Sequence, residues 1–140
     1  MVSRVTLWMG ALVLVLAAGV SRAEEKGSSK SGDAARVAGV APGVVDGPTA
    51  HKLVASGIKV VDVRTPAEFD TGHVPGALNI PHDQMAARHA EIGPPSTPVL
   101  LYCKSGRRTD IAARTLREKG FTQIYDMQSY DRWTASEPKR

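Results

Sequence analysis

Hydrophobic positions along residues 46–135 follow two different periods. Apolar runs rich in β-branched residues predict short buried strands. These runs lie at residues 58–63, in a short stretch that ends at Ile80, and at residues 99–102 and 123–125. Between them, apolar residues recur three and four positions apart, as in Ala50, Leu53 and Val54, which predicts helices. Strands that alternate with helices are typical of an α/β domain whose sheet is mainly parallel.

Residues that begin or end helices divide the same stretch further. Thr65 and Glu68 flank Pro66 as a capping box, so a helical turn should follow the first strand. Phe69 is expected to be the core contact of that turn. Asp83 is placed to cap a helix that runs to about residue 90. The longest helical pattern contains Ile111, Ala112, Thr115 and Leu116 and ends at Gly120, and a final turn covers residues 130–133.

Residues 1–23 have the pattern of a secretory signal peptide. Arg4 gives a positive start, residues 5–20 are almost wholly apolar, and Ala23 supplies a small residue where a signal peptidase would cut. An uncleaved membrane anchor is the alternative, but the apolar run is shorter than the roughly 20 residues that span a bilayer. We therefore expect cleavage after Ala23 and a periplasmic or secreted protein without a stable membrane insertion.

The segments on either side of the predicted domain differ from it in composition. Residues 24–45 are rich in Gly, Ser, Lys and Ala and show no apolar period, which predicts a flexible tether. Residues 136–140 are predicted to form a C-terminal tail, which leaves residues 46–135 as one folded domain.

Composition and charge are those of a globular domain and do not indicate a nucleic-acid-binding protein. Of the 140 residues, 42% are hydrophobic and 23% are charged, as expected for a globular domain. The formal charge of +4 includes Arg4 and Arg22; without them 16 basic residues face 14 acidic ones, which leaves +2. Because no stripe of Lys and Arg is interleaved with aromatic residues, we expect no nucleic-acid partner.

Histidine placement does not indicate a metal centre. His51, His82 and His89 have no Cys or carboxylate partner at zinc-like spacing, so they are expected at the surface. We therefore predict no metal ion and no organic cofactor.

The one cysteine of the chain, Cys103, follows the apolar run 99–102 and precedes a Gly-containing turn, two arginines and a helical pattern. Its sulfur is thus predicted where a strand stops and a helix starts. The free N–H groups at a helix N-terminus favour a thiolate, as do neighbouring Lys or Arg side chains. One cysteine cannot close a disulfide within an exported chain, which favours a reactive thiol over the alternative of a buried, inert cysteine.

Two stretches of the chain resemble the rhodanese (thiosulfate sulfurtransferase) superfamily. Residues 61–69 and 72–80 are similar to its long signature, and residues 103–108 are similar to its six-residue active-site loop, C-x-x-G-x-R. Together with the region of Trp133, these motifs span about residues 44–135. The likeness is to single-domain exported members, similar to the periplasmic phage-shock type.

The resemblance implies a fold, a chemistry and a set of site residues. The fold is a five-stranded, mainly parallel sheet with helices on both faces, and the chemistry carries sulfur as a persulfide of Cys103. The loop that binds substrate and stabilises the thiolate would consist of Lys104, Ser105, Gly106, Arg107 and Arg108. The residues that support the scaffold would be Asp62, Arg64, Glu68 and His73. Read from the residues alone, a buried Asp62 needs a partner, for which Arg64 is the candidate, although exposed charges at Arg64 and Glu68 are equally compatible.

The sequence departs from the family pattern at two places. Gln128 and Ser129 stand where many members have a glycine pair before the closing Trp133, which affects one flank of the pocket. Thr109 stands where serine is frequent, and it keeps the hydroxyl group.

Loop length separates two kinds of cysteine chemistry. Phosphotyrosine phosphatases place an arginine at the seventh position of a longer loop, where this chain has Thr109, so the shorter loop suits a single sulfur atom. Gly106 would allow the N–H groups of residues 104–108 to converge as an anion-binding nest. Cys103 would then take sulfur from a small anionic donor such as thiosulfate and pass it to cyanide or a thiol.

The basic residues of the loop have separate predicted roles. Arg108 would hold the sulfonate oxygens of the donor with a forked set of N–H groups. Arg107 and Lys104 either attract anions or are simply solvated. A persulfide carrier, sensor or partner-docking module without turnover is the alternative function, whereas thiol–disulfide exchange would normally need a second cysteine.

Overall fold

A computed structural model describes residues 37–139, so the predicted signal peptide and residues 24–36 of the predicted tether lie outside the described residues. The strands in this range are β1 (Gly43–Val44), β2 (Lys59–Asp62), β3 (Leu78–Asn79), β4 (Val99–Cys103) and β5 (Ile124–Ser129). The helices are α1 (Gly47–Ala55), α2 (Pro66–Asp70), α3 (Met85–Arg88), α4 (Arg107–Glu118) and α5 (Tyr130–Ala135). Two 3₁₀ turns, His82–Gln84 and His89–Glu91, flank α3.

The five strands form one parallel sheet in the order β1-β5-β4-β2-β3. The predicted α/β class and the five-stranded parallel sheet are therefore confirmed. β4 lies at the centre, and all five of its residues are buried because helices cover both faces of the sheet. Ligands of such sheets bind beyond the carboxyl ends of the strands, which is where β4 ends in Cys103.

Alternate residues of β4 point into two separate cores. Leu101 and Cys103 belong to a core that includes Leu116 of α4. Tyr102 belongs to a second core on the opposite face, which includes Trp133 of α5. The alternation fixes Cys103 on the α4 side of the sheet, facing the start of the helix that follows it.

The N-terminal boundary of the domain differs from the prediction. Gly43 and Val44, assigned to the tether from the sequence, form β1 and pair with Tyr125 and Asp126 of β5. The Tyr125 hydroxyl also accepts a hydrogen bond from the Val37 N–H and donates to the Val40 carbonyl, each over 2.9 Å. A strand of two residues is too short to show a periodic pattern in the sequence. Its position depends instead on pairing with β5, which lies more than 80 residues further along the chain.

The extent of the helix after Asp83 and the burial of Phe69 also differ from the predictions. The helix predicted from Asp83 to about residue 90 is divided into a 3₁₀ turn, the four residues of α3 and a second 3₁₀ turn, and Asp83 makes no capping hydrogen bond. Phe69 is half-buried and stacks on His73, with 3.7 Å between ring centroids, because α2 is a single surface turn with no buried residue. No helix within residues 37–139 is long and apolar enough to cross a membrane.

Candidate active site

The Cys103 sulfur is buried between the end of β4 and the start of α4. The Gly106 N–H donates to Cys103 Sγ over 2.9 Å, and Cys103 is completely shielded from solvent. Gly106 is the N-cap of α4 and has a φ of +93°, a left-handed conformation that favours glycine. The strand-to-helix placement expected from the sequence is thus present, and one of the loop N–H groups expected to form an anion nest contacts the sulfur.

The opposite side of the sulfur faces β5. Cys103 Sγ lies 3.2 Å from the Gln128 carbonyl oxygen, to which the thiol donates. The sulfur therefore lies between one backbone donor, which stabilises a thiolate, and one backbone acceptor, which stabilises the thiol. Both contacts come from main-chain atoms, so their positions depend on what holds Gly106 and Gln128.

A β-bulge determines the conformation of Gln128. Leu101 pairs with Asp126 and Tyr102 pairs with Gln128, so Met127 is the extra residue of β5. Gln128 has a φ of +70°, the conformation that a glycine would adopt freely at this position. The sequence departs from the family's glycine pair at this end of β5. The backbone there nevertheless has a glycine-like conformation, with the larger glutamine side chain on it.

Asp126 connects the two sides of the site, and sequence reasoning missed it. Its Oδ1 accepts from the Gln128 N–H over 2.7 Å, and its Oδ2 lies 3.1 Å from Thr109 Oγ1. Thr109 Oγ1 in turn donates to the Gly106 carbonyl over 2.7 Å. Burial raises the pKa of Asp126, and the contacts with the Gln128 N–H and the Thr109 hydroxyl act in the opposite direction. The signal available in the sequence was an acidic residue next to the apolar run of β5, comparable to Asp62 in β2.

The side chain of Arg108, expected to hold the substrate, is engaged by Glu68 of α2. Arg108 Nη1 and Nη2 donate to Glu68 Oε2 and Oε1 over 2.7 and 2.9 Å, a forked ion pair. The Arg108 hydrogen bond lowers the pKa of Glu68 to about 2. Glu68 also completes the predicted capping box with Thr65 at the start of α2. By contrast, Lys104, Ser105 and Arg107 are exposed at the loop surface.

The predicted partner of Asp62 is present. Arg64 Nη2 lies 2.6 Å from Asp62 Oδ2, and both side chains are buried. Arg64 Nη2 also donates to the Gly72 carbonyl over 2.7 Å, and the guanidinium lies over the Tyr130 and Tyr102 rings, 4.8 and 5.5 Å from their centroids. This cluster ties the end of β2 to the loop that follows α2, and the side-chain hydrogen bonds of Arg64 go to Asp62 and Gly72.

The histidines serve local packing. His73 is exposed, and its Nδ1 lies 3.0 Å from the Phe69 carbonyl oxygen. His51, expected at the surface, is half-buried and stacks on Trp133 with 3.6 Å between ring centroids. His82 and His89 are partly exposed. Within the described residues, no group of three or more His, Cys, Asp or Glu side chains could hold a metal ion.

A buried cysteine at the carboxyl end of a central parallel strand, next to the N-terminus of the following helix, defines a thiol-based site on an α/β domain. A family model described as a rhodanese-like domain matches residues 48–136. The chain belongs to this rhodanese-like family, which confirms the resemblance found in the motifs.

Two curated relatives and one solved structure illustrate what the chain is similar to. The "uncharacterized protein YqhL" of Bacillus subtilis is 43% identical over 76 residues, which are 54% of this chain and 60% of that protein, so the chain spans less than two thirds of that relative. The chloroplastic thiosulfate sulfurtransferase 16 of Arabidopsis thaliana is 33% identical over 104 residues, covering 66% of this chain and 87% of that protein. The structure of human single-domain sulfurtransferase TSTD1 is similar at a TM-score of 0.57 and 26% identity, covering 69% of this chain and 97% of the human one.

Proposed function

We propose that the domain transfers sulfane sulfur from thiosulfate or a similar donor to a thiophilic acceptor, cyanide or a thiol, through a Cys103 persulfide. The observation that carries the proposal is the Cys103 sulfur at the start of α4, 2.9 Å from the Gly106 N–H. Family membership and the relatives named thiosulfate sulfurtransferase support the same class of reaction.

The reaction would proceed as two displacements at sulfur. The Cys103 thiolate attacks the outer sulfur of thiosulfate; an S–S bond forms, the bond to the sulfonate breaks, and sulfite leaves with its electron pair. The acceptor then attacks the outer sulfur of the persulfide, and Cys103 leaves as the thiolate. The persulfide is the covalent intermediate, and the steps balance without a metal ion or an organic cofactor.

The donor anion would meet two kinds of positive group. Lys104 and Arg107 are exposed at the loop, where they can raise the local concentration of a dianion. Arg108 uses one N–H on each Nη atom for Glu68, and a guanidinium carries five N–H groups, so three are left for sulfonate oxygens. In this proposal Glu68 orients Arg108 while the unpaired N–H groups select the anion.

Thiocyanate formation from thiosulfate and cyanide tests the proposal. Wild type should turn over steadily, Cys103→Ser should not, and thiosulfate should add the mass of one sulfur atom that cyanide removes. Arg107→Ala should raise KM for thiosulfate, while Arg117→Ala, an exposed arginine at the far end of α4, serves as the matched control. Equal inactivity of wild type and Cys103→Ser with several donors would contradict an enzyme.

A persulfide carrier without turnover is the second candidate function. The Gln128 carbonyl, 3.2 Å from Sγ, and the glutamine side chain at a position whose φ of +70° favours glycine support it. A carrier would gain the mass of one sulfur atom from thiosulfate but would form no steady thiocyanate. The two functions therefore differ in one measurement on the same sample.

We also propose that the protein is exported to the periplasm or secreted, with cleavage after Ala23. The support is the sequence of residues 1–23, a positive start, an apolar stretch and a small residue at the cut. Intact mass of the protein isolated from its native host tests this. A chain that begins at Glu24 is expected, and a membrane-bound chain that retains residues 1–23 would indicate an uncleaved anchor.

A further inference from the structure

Asp126 is a buried acid that the proposed sulfur chemistry does not use. It is 7% exposed, and no ion pair within residues 37–139 includes it. The charged groups that act on it are Asp110 of α4, which disfavours its ionised form, and Arg132 of α5, which favours it. Burying a carboxylate without a paired cation costs free energy. The hydrogen bonds of the Asp126 side chain should therefore explain how it is accommodated.

One oxygen of Asp126 controls the β5 side of the sulfur. Oδ1 accepts from the Gln128 N–H over 2.7 Å, directly after the bulge at Met127. This bond holds Gln128 at its φ of +70°, and that conformation directs the Gln128 carbonyl to within 3.2 Å of Cys103 Sγ.

The other oxygen of Asp126 controls the α4 side of the sulfur. Oδ2 lies 3.1 Å from Thr109 Oγ1, and Thr109 Oγ1 lies 2.7 Å from the Gly106 carbonyl oxygen. Gly106 is the residue whose N–H contacts Sγ. Both main-chain groups that touch Cys103 are thus anchored to one carboxyl group.

The protons in this chain of contacts can be counted. A threonine hydroxyl has a single proton to donate. The contact of 2.7 Å from Thr109 Oγ1 to the Gly106 carbonyl is the typical length of an O–H···O bond, so we assign the hydroxyl proton to this contact. The contact of 3.1 Å to Asp126 Oδ2 then lacks a proton unless the carboxyl group supplies it.

We propose that Asp126 is a positioning residue for the Cys103 sulfur and that it acts as the neutral carboxylic acid. The acid donates through Oδ2 to Thr109 and accepts through Oδ1 from the Gln128 N–H, which satisfies every group in the network. Because this acid is neutral, an ionised Cys103 sulfur does not face a buried negative charge on the β5 side. The pKa of Asp126 is raised, chiefly by burial and with a contribution from Asp110, although the contacts with Gln128, Thr109 and Arg132 act in the opposite direction, and this net direction agrees with the neutral state.

The pH dependence of Cys103 alkylation by iodoacetamide tests this, since the chain has one cysteine and only the thiolate reacts readily. Asp126→Asn keeps one acceptor and one donor without a charge, so the midpoint of its alkylation profile should match that of wild type. Asp126→Ala and Thr109→Val remove the anchor, and each should slow alkylation of the thiolate or shift its midpoint, with an effect of about tenfold or one pH unit. Thr109→Ser should restore the wild-type profile.

Two results would overturn the inference. If the midpoint of Asp126→Asn falls by about one pH unit, Asp126 is ionised in the wild type, because its charge was opposing the thiolate. If Asp126→Ala and Thr109→Val both keep the wild-type profile, the carboxyl group does not position the sulfur. Should Asp126→Ala fail to fold, Thr109→Val decides the second point.

Steady-state kinetics with thiosulfate and cyanide give a second readout, which rests on the proposed function. Thr109→Val should lower kcat about tenfold with a small change in KM for thiosulfate, because the anion-binding groups stay in place. Wild type that forms no thiocyanate would contradict the proposed function only, since the alkylation profiles still decide the role of Asp126.

Discussion

The two strands that flank β4 carry buried acids that are stabilised in opposite ways. On the β2 flank, Asp62 is completely buried and is neutralised by Arg64 at 2.6 Å. On the β5 flank, Asp126 is buried against Thr109 and the Gln128 backbone with no cation in contact among the described residues. The charged pair of Asp62 and Arg64 can therefore lie beside the site as a scaffold. The neutral network of Asp126 can lie directly against an anionic sulfur.

The flanks also differ in backbone strain. Gln128 on the β5 flank has a positive φ, which a non-glycine residue adopts at a cost of roughly 1–2 kcal/mol. No non-glycine residue among residues 58–71 of the β2 flank does so. Strain therefore lies on the side whose main-chain groups touch Cys103, as is common where a site requires an exact placement of atoms.

Replacing each acid by its amide should give the largest difference between the flanks. Asp62→Asn leaves the Arg64 guanidinium buried without a counter-ion, which should lower the free energy of unfolding by about 3–5 kcal/mol. Asp126→Asn keeps a donor and an acceptor and removes an acid whose pKa is raised by burial, so the free energy of unfolding at neutral pH should be unchanged or higher. Urea unfolding at neutral pH measures both.

A double variant serves as the control for the first comparison. Asp62→Asn combined with Arg64→Met removes both charges of the pair and should recover part of the loss, because an apolar replacement leaves no unpaired ion. Equal losses of stability for Asp62→Asn and Asp126→Asn would show that the two acids are stabilised in the same way, contrary to the comparison.

Gly106→Ala should give the next largest effect. A φ of +93° strains an alanine by about 1–2 kcal/mol, and the added Cβ would lie 3.3 Å from Gln128 Cβ. Gly120→Ala is a matched control at the other end of α4, since its φ is +92° but its nearest neighbour, Pro95 Cβ, is at an ordinary 3.5 Å. Both variants should lose stability in thermal unfolding.

The two glycine variants should differ at the sulfur. Gly106→Ala should also slow iodoacetamide alkylation of Cys103, because it displaces the N–H that contacts Sγ, whereas Gly120→Ala should not. If alkylation is slowed in both variants, the reactivity of Cys103 depends on distortion anywhere in α4. It would then not depend specifically on the contact between residue 106 and Gln128.

The pH dependence of stability should have opposite signs on the two flanks. Glu68 has a pKa lowered to about 2, chiefly by the Arg108 hydrogen bond, so its contribution is complete above its ordinary pKa of 4.5 and is lost as pH falls through about 2. Burial raises the pKa of Asp126, so its contribution is complete below 3.8 and is lost as pH rises through the folded-state pKa.

Charge-removing variants separate these two contributions. Glu68→Gln should lose about 1 kcal/mol at neutral pH, because solvent screens a partly exposed pair, and its stability should vary less between pH 4.5 and 2. Asp126→Asn should remove the decline above pH 3.8. Urea unfolding from about pH 2 to neutral pH measures both, since Glu68 acts below pH 4.5 and Asp126 acts above pH 3.8. A decline above pH 3.8 that persists in Asp126→Asn would assign it to another group.

The features predicted from sequence were those made by residues close together in the chain. The capping box of Thr65 and Glu68, the pair of Asp62 and Arg64, and the approach of Cys103 to the next helix each depend on neighbours within a few positions. Local spacing fixes such contacts, because helix and strand geometry determine which near neighbours meet.

The features that were missed join distant residues. Glu68 and Arg108 are 40 positions apart, and Thr109 and Asp126 are 17 apart. These pairs meet only because β2, β4 and β5 are adjacent in the sheet, which no local pattern specifies. The same reason explains the misplaced start of the domain, since β1 exists only as a partner of β5.

The smallest expected effect tests whether the backbone of Gln128, on the β5 flank, is strained. Gln128→Gly should raise the free energy of unfolding by about 0.5 kcal/mol, because relief of the left-handed strain outweighs the extra chain entropy of glycine. Ser129→Gly is the matched control: its φ of −127° is extended, so glycine there brings no relief and should destabilise by about 0.5–1 kcal/mol. Urea unfolding of the two variants should therefore give changes of opposite sign. A loss of stability in both variants would mean that the contact between the Gln128 side chain and Gly106 stabilises the domain by more than the backbone strain costs. Packing would then stabilise the β5 flank in addition to the Asp126 network.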